Sequence, residues 1–220
     1  MAQQKLEPDK KKNVRNKWTP DIIIDKSKEI FRKKGFELSM HDIARELNTR
    51  ASSIYRHFES KRELWFAITL DDFDKFGKRL ENVAIKHFQN NERSSKDLLI
   101  KTGQEFLTFA NEDFHRFQLL FLYEPPKTEN PGPYEQQCNP DSLMNLVKIC
   151  EVVIKEEELH NIEAEELAFQ LFSFVLGYAI LISPINDYLI EKENFHAIRT
   201  EKFKDKMFFS TVEGILSHYK

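Results

Sequence analysis

The chain has 220 residues, of which 40% are hydrophobic and 31% charged, and its formal net charge is −3. It is long enough for one or two helical domains with their own cores. Because it contains only 6 glycines, its composition favours helices over a turn-rich β protein.

The charge is distributed unevenly along the chain. Residues 1–70 hold 16 lysines and arginines against 10 aspartates and glutamates, a net charge of +6. The rest of the chain holds 17 against 26, a net charge of −9. A basic first third on an acidic remainder indicates that only the first third contacts a polyanion.

Several classes of protein and site find no support in the sequence. Cys138 and Cys150 fit neither a disulfide framework nor a metal-ligand spacing. The seven histidines form no metalloprotease motif, and no glycine-rich phosphate loop or nucleophile elbow occurs. We therefore expect no enzyme, no metal and no cofactor.

No apolar targeting signal occurs at the start of the chain, and the apolar stretch 171–182 is shorter than a bilayer requires. The sequence therefore predicts a cytoplasmic protein with no membrane partner.

The first element after a polar, basic arm at 1–17 is a predicted helix that begins at Thr19–Pro20 and ends at Gly35. The arm is either a flexible tail or a segment that lies along DNA. The residues that share the inner face of the helix at helical spacing are Ile23, Ser27, Ile30 and Phe31.

Two short helices follow. Ser39 and Asp42 have the spacing of a capping box at the start of the first, and Asn48 suits the left-handed turn after it. The second runs from about residue 50 to 58. Such short helices need neighbours for stability.

A longer helix then begins at Ser60 and continues to about residue 87, with Gly77 as a possible bend. Beyond it, the segment 124–140 holds five prolines and is predicted to be a loop, either a lid or an unattached excursion. The later helices are predicted at about 94–110, 113–123, 140–159, 162–182 and 202–219.

Two short helices joined by a tight turn and braced by longer ones form a helix-turn-helix, here at residues 39–58. The second short helix of such a unit enters the major groove of DNA. Its inner face needs only a few anchors, here Ile54 and Phe58, so its outer face is left for DNA.

These residues resemble a known family. The segment "IIIDKSKEIFRKKGFELSMHDIARELNTRASSIYRHFESKRELWFAI" (22–68) is similar to the DNA-binding domain of TetR-type transcriptional regulators. The positions that match the family pattern are Phe31, Gly35, Phe36, Ser39, Asp42, Ile43, Ala44, 54–58 and Lys61. The segment "NTRASS" departs from the usual "GVSKGT", so Thr49 is expected to cap the third helix in place of Arg50.

The resemblance implies how the head contacts DNA. Tyr55, His57 and Lys61 would contact phosphates. The front of the third helix would read bases, through Arg50, Ala51, Ser52 and Ser53. Arg50 on a phosphate is the alternative. The full predicted set is Ser39, Thr49, Arg50, Ala51, Ser52, Ser53, Tyr55, Arg56, His57 and Lys61.

The resemblance also implies an all-α fold of about nine helices. A three-helix DNA-binding domain at 18–66 would precede an effector-binding and dimerisation domain at 67–220. Aromatic residues predicted to line the effector site are Phe73, Phe106, Phe109, Phe117, Phe121, Phe174 and Tyr178; ordinary core packing is the alternative. Residues predicted at a homodimer interface are Phe172, Val175, Ala179, Phe208, Val212 and Ile215; monomer core is the alternative.

The function implied is a ligand-responsive repressor, released from a palindromic double-stranded operator by a small apolar or aromatic effector. The proposed movement is a shift of the fourth helix that alters the distance between two recognition helices. The alternative is a DNA-bound adaptor without an effector, regulated by a protein partner.

Overall fold

In the computed structural model, residues 18–34, 39–90, 94–127, 131–137, 141–183 and 200–220 are described. Within these ranges the chain is helical and no strand occurs, which confirms the predicted all-α class. The ten helices are α1 (Pro20–Lys34), α2 (Met40–Glu46), α3 (Ala51–Tyr55), α4 (Lys61–Gln89), α5 (Ser95–Glu112), α6 (Phe114–Phe121), α7 (Pro133–Gln137), α8 (Asp141–Glu156), α9 (Ala164–Leu181) and α10 (Glu201–His218). The basic arm at 1–17 and the predicted helix end at Gly35 lie outside the described residues.

Two hydrophobic cores organise these helices. The first, which we call the head core, joins α1, α2, α3 and the start of α4, together with Leu119 of α6. The second, the body core, joins the middle of α4 to α5, α6, α8, α9 and α10. Phe73 packs against both cores, so the two are in contact along α4.

α1 forms as its sequence predicts. Ile23, Ser27 and Phe31 are buried at four-residue spacing. At its amino end, the amide of Ile22 donates a hydrogen bond to the Thr19 hydroxyl at 3.4 Å.

α4 is a single helix of 29 residues. Gly77 does not interrupt it, and the predicted domain boundary after residue 66 falls inside it. Residues 63–69 are all buried, because the first two turns of α4 pack in the head core and also face α6 and α7. The helix therefore carries the head and part of the body on one rigid element.

The proline-containing segment differs from its prediction. It contains α7, a helix of five residues that begins at Pro133, where the fixed φ of proline suits the first helical position. The described part is not an unattached excursion, since α7 packs on the first turns of α4.

α9 is longer than the apolar stretch identified in the sequence. By length and composition it could cross a membrane, and 39% of it is buried. The core helix of a soluble protein has the same properties, and α9 packs against α5 and α8.

The cysteine on α8 provides a test of this core. Cys150 has 0% exposure, and burial raises the pKa of its thiol to about 12. Because the thiolate is the nucleophile, we expect Cys150 to resist iodoacetamide at pH 8 in the folded protein and to react after unfolding in guanidinium. Mass spectrometry of the peptide that contains it measures both rates, and equal rates would contradict the packing.

Candidate functional site

The amino-terminal turn of α2 is fixed by a reciprocal capping box. The amide of Asp42 donates to the Ser39 hydroxyl at 3.2 Å, and the amide of Ser39 donates to the Asp42 carboxylate at 3.0 Å. Hydrogen bonds from Ser39 hold the pKa of Asp42 below its usual value. The predicted capping box is thus confirmed, and it secures a helix of only seven residues.

The turn between α2 and α3 depends on one left-handed residue. Asn48 has a φ of 51°, as its side-chain type predicts. The amide of Thr49 then donates to the carbonyl of Ala44 at 2.9 Å, which closes the turn.

Two sequence predictions for α3 are wrong. Its N-cap is Arg50, without a side-chain cap hydrogen bond, whereas Thr49 lies one residue earlier in the turn. α3 also ends at Tyr55 rather than near residue 58. The amides of His57 and Phe58 both donate to the carbonyl of Ile54, so the chain leaves the helix early and still buries Phe58.

α3 has the anchoring that the sequence predicts. Ile54 and Phe58 are 0% exposed and hold the segment to the head core. Tyr55 is 45% exposed, and Arg56 and His57 are exposed beside it. This aromatic-basic run therefore lies on the surface and not in the core.

The remaining predicted contacts surround this surface. Ser39, Arg50 and Ser52 are exposed, and Thr49, Ala51, Ser53 and Lys61 are partly exposed. The structure therefore leaves every predicted DNA contact accessible at α3 and at the starts of α2 and α4. We call this surface the reading face.

The start of α4 adds a partial positive charge to the reading face. Ser60 caps it by accepting a hydrogen bond from the amide of Glu63 at 3.0 Å. Lys61 is its first residue. A helix amino terminus beside an ammonium group favours an anion such as a phosphate.

A second feature is a cavity of about 130 Å³ in the body core. Among the described residues that line it, only Thr102 carries a polar side chain, and its hydroxyl donates to the carbonyl of Leu98 at 2.8 Å. The cavity therefore suits an apolar group. The lining residues are Phe76, Leu80, Leu99, Thr102, Gly103, Phe106, Phe121, Leu146, Leu171, Phe172, Val175 and Phe208.

Two of the seven predicted effector-site aromatics, Phe106 and Phe121, line this cavity. Phe109 instead packs against the guanidinium groups of Arg79 and Arg116, whose carbons lie 5.6 and 4.2 Å from the ring centroid. The other four, which pack in the core outside the cavity lining, are Phe73, Phe117, Phe174 and Tyr178.

Reasoning from sequence missed Gly103 as a determinant of this cavity. A Cβ atom at Gly103 would lie 1.9 Å from the ring of Phe208, so glycine lets that ring approach the backbone of α5. The sequence offered no signal for this contact, because the two residues are far apart in the chain and lie on different helices.

The comparison with known families decides the identity of the head. Residues 23–68 match the family described as bacterial regulatory proteins, tetR family. These residues, 23–68, form a tetR-type domain. The match covers the head core and the reading face, where the caps, turn and anchors described above occur.

A curated relative supports the assignment. The chain is 31% identical over 106 residues to IcaR of Staphylococcus aureus, described as the HTH-type negative transcriptional regulator of the biofilm operon icaADBC. The alignment covers 48% of this chain and 54% of IcaR. The chain thus spans about half the length of the curated relatives it matches.

Solved tetR-like structures show the same fold over most of the chain. FadR of Bacillus subtilis, solved in complex with stearoyl-CoA, has a TM-score of 0.59 at 17% identity and covers 89% of this chain and 96% of its own. AibR, solved with isovaleryl coenzyme A and operator DNA, has a TM-score of 0.54 at 16% identity and covers 74% and 84%.

Four of the six predicted dimer residues are buried within the protomer. Val175, Ala179, Phe208 and Val212 are at most 5% exposed within the protomer, so they have no surface for a second copy. Phe172, Val175 and Phe208 line the cavity instead. The physical reason is that α9 is apolar nearly all round, so the sequence could not tell which side faces its own core.

Other large apolar side chains are exposed on the same two helices. Phe169 is 69% exposed and Leu181 53% exposed on α9, and Phe209 is 52% exposed on α10. Ile215, the remaining predicted dimer residue, is half-buried against the body core. We call Phe169, Leu181 and Phe209 the outer face.

Proposed function

We propose that this protein is a homodimeric, cytoplasmic transcriptional repressor, released from double-stranded operator DNA by a small apolar effector. The observation that carries the proposal is the reading face: an accessible set of polar and basic side chains on a tetR-family helix-turn-helix. The negative regulation named for IcaR supports the sign of regulation.

Different residues of the reading face contact different parts of the DNA. Lys61, Tyr55 and His57 contact phosphates and position the head, while Arg50 and Ser53 contact base edges. Arg56 lies within 3.4 Å of the Ser53 hydroxyl and orients it. A dimer places two such faces on half-sites of a palindromic operator, about 34 Å apart.

The cavity is the proposed effector site. Its lining accepts an apolar group and offers no charged partner among the described residues. The acyl-CoA ligands named for FadR and AibR support an effector with an apolar portion, such as an acyl chain. The cavity also counts against an effector-free adaptor, for which we would expect a filled core.

α4 connects the two sites. Lys61 is its first residue, and Phe76 and Leu80 line the cavity. At about 1.5 Å per residue, the cavity begins roughly 23 Å along the helix from Lys61. An effector that prefers a displaced α4 would therefore change the separation of the two reading faces and release the operator.

The phosphate contacts can be tested by salt dependence. We expect Lys61→Ala to weaken binding to all duplex sequences and to lower the slope of log affinity against log salt by about one unit. Titrations by fluorescence anisotropy at several salt concentrations measure this. The matched control is Lys78→Ala, also on α4, where Lys78 is ion-paired to Asp74 at 2.6 Å outside the head.

Substitutions at the base contacts are expected to affect sequence preference rather than affinity for all duplexes. Arg50→Ala and Ser53→Ala should alter the preference between a selected operator and random duplex. If these variants and Lys61→Ala reduce binding to cognate and random duplex equally, the assignment of separate base and phosphate contacts is wrong. If the unmodified protein shows no salt-sensitive affinity for any duplex, the proposed function is wrong.

The effector site can be tested with benzene, since an apolar cavity of about 150 Å³ is known to bind it. We expect benzene to raise the melting temperature and to weaken DNA binding. Leu146→Trp should fill the cavity and abolish both effects. The control is Val152→Trp, on the same helix but 46% exposed. A benzene response that survives Leu146→Trp would contradict the assignment.

The outer face is the proposed dimer contact. A carboxylate in an apolar interface is costly to desolvate, so Phe169→Glu and Phe209→Glu should each shift the protein toward monomer in analytical ultracentrifugation. Phe88→Glu is the control, because Phe88 is also a strongly exposed phenylalanine, at 64%, but lies on a different helix, α4. A dimer unaffected by both outer-face changes would exclude this surface.

A further inference from the structure

The proline-containing segment between α6 and α8 joins the cavity to the head. We call its described residues, 122–127 and 131–137, the strap. The strap begins directly after Phe121, the last residue of α6, whose ring lines the cavity and lies 5.0 Å from that of Phe106. It ends with α7 on the first turn of α4. Neither the reading face nor the cavity otherwise uses these residues.

Arg62 is the main attachment point of the strap. Its Nε donates to the Glu135 carboxylate at 2.7 Å, and its Nη2 forms an ion pair with the other carboxylate oxygen. Its Nη1 donates to the carbonyl of Pro126 at 2.9 Å. Both charged side chains are about one-fifth exposed. This two-pronged geometry is the strongest that an arginine and a carboxylate form, and it holds the pKa of Glu135 below its usual value.

Glu63, the next residue of α4, is covered by the strap. Its side chain is buried, and one carboxylate oxygen accepts a hydrogen bond from the amide of Tyr134 at 3.0 Å. The other oxygen has no hydrogen-bond partner among the described residues. A Cβ atom at Gly132 would lie 1.7 Å from that oxygen, so a larger residue there requires the buried Glu63 carboxylate or the strap to move.

Tyr134 extends this attachment into the head core. Its ring centroid lies 5.9 Å from that of Phe58, the residue that anchors the segment after α3. The strap therefore contacts the residues on both sides of the junction between α3 and α4. Lys61, which the proposed function places on a phosphate, lies between Phe58 and Arg62 in the chain.

We propose that the strap is a releasable clamp that couples the cavity to the reading face. When docked, it holds the first turn of α4 and Phe58, and so keeps α3 in its DNA-binding position. An apolar ligand that displaces Phe121 pulls on residues 122–126 and undocks α7. This inference rests on the proposed function, because it supplies the route between the two proposed sites.

The interactions of the strap both favour and oppose docking, as expected for an element with a docked and an undocked state. The Arg62–Glu135 pair and the Tyr134–Phe58 contact favour the docked state. The buried, half-satisfied carboxylate of Glu63 opposes it, since an unpaired buried oxygen is destabilising and would regain water on release. A ligand then needs only a modest difference in affinity between the two states to shift the population.

The experiment compares two glycine-to-alanine variants of the full chain. Gly132→Ala should expel the strap from Glu63. Gly77→Ala is the matched control on α4, because its Cβ meets nothing within 4 Å. We expect Gly132→Ala to accelerate hydrogen exchange in peptides covering 58–68 and 131–137. We also expect its affinity for duplex DNA to fall about tenfold, while Gly77→Ala changes neither.

Glu135→Gln provides a second variant that keeps the size of the side chain and removes its charge. It should also accelerate hydrogen exchange and weaken affinity for duplex DNA, but by less than Gly132→Ala does. If Gly132→Ala does not fold, Glu135→Gln serves as the test variant. Benzene serves as the cavity probe. It should accelerate exchange of 58–68 in the unmodified protein and have little further effect in either strap variant.

The outcomes distinguish the clamp from the proposed function. If the unmodified protein binds duplex DNA and both strap variants bind it with the same affinity as Gly77→Ala, the clamp proposal is wrong. The proposed repressor function is then unaffected. If neither the unmodified protein nor any variant binds DNA, the proposed repressor function is wrong. The hydrogen-exchange rates then test the clamp alone. The clamp is then overturned if benzene leaves exchange of 58–68 unchanged in the unmodified protein, or alters it equally in the variants.

Discussion

The structure depends on the burial of the first two turns of α4. Helices of seven and five residues are too short to be stable alone, and α2 and α3 are stable because Leu64 and Ile68, both 0% exposed, complete the core beneath them. The same turns face α6 and α7 on their other side. The proposed displacement of α4 would reach the reading face through this shared core, to which α1, α2 and α3 all contribute.

Charge pairs complement this packing on the inner side of the head. Lys28 lies 3.5 Å from Asp71 and 3.7 Å from Asp72, and Arg32 lies 2.5 Å from Asp113. Acidic residues of the body thus pair with basic residues of α1. The excess positive charge of the head that faces outward is carried by side chains such as Arg50 and Arg56, which are exposed on the reading face.

Local signals were the most informative part of the sequence. The Ser39–Asp42 box, the left-handed Asn48 and the anchors Ile54 and Phe58 were predictable, because each depends on residues only a few positions apart. α7 was not predictable: five prolines indicate a loop, and only docking on α4 makes a five-residue helix stable. The absent side-chain cap on α3 likewise reflects tertiary support, which replaces the hydrogen bond that Thr49 was expected to supply.

The body was harder to interpret, and the reason is physical. A helix that is apolar on every side, such as α9, gives no periodic signal for which residues face its own core. Val175 was assigned to a dimer contact and lies at the cavity; Phe109 was assigned to the cavity and packs against two arginines. Which aromatic residues surround empty space depends on packing between distant helices, and single-sequence patterns do not contain that information.

The approach of Phe208 to Gly103 has a consequence for how such a protein can diversify. Phe208 lines the cavity, and its neighbour Phe209 is exposed on the outer face of the same helix. A larger residue at position 103 would displace the Phe208 ring, so the shape of the cavity and the position of the outer face would be affected together. A single substitution at position 103 would therefore alter both the proposed effector site and the proposed dimer contact.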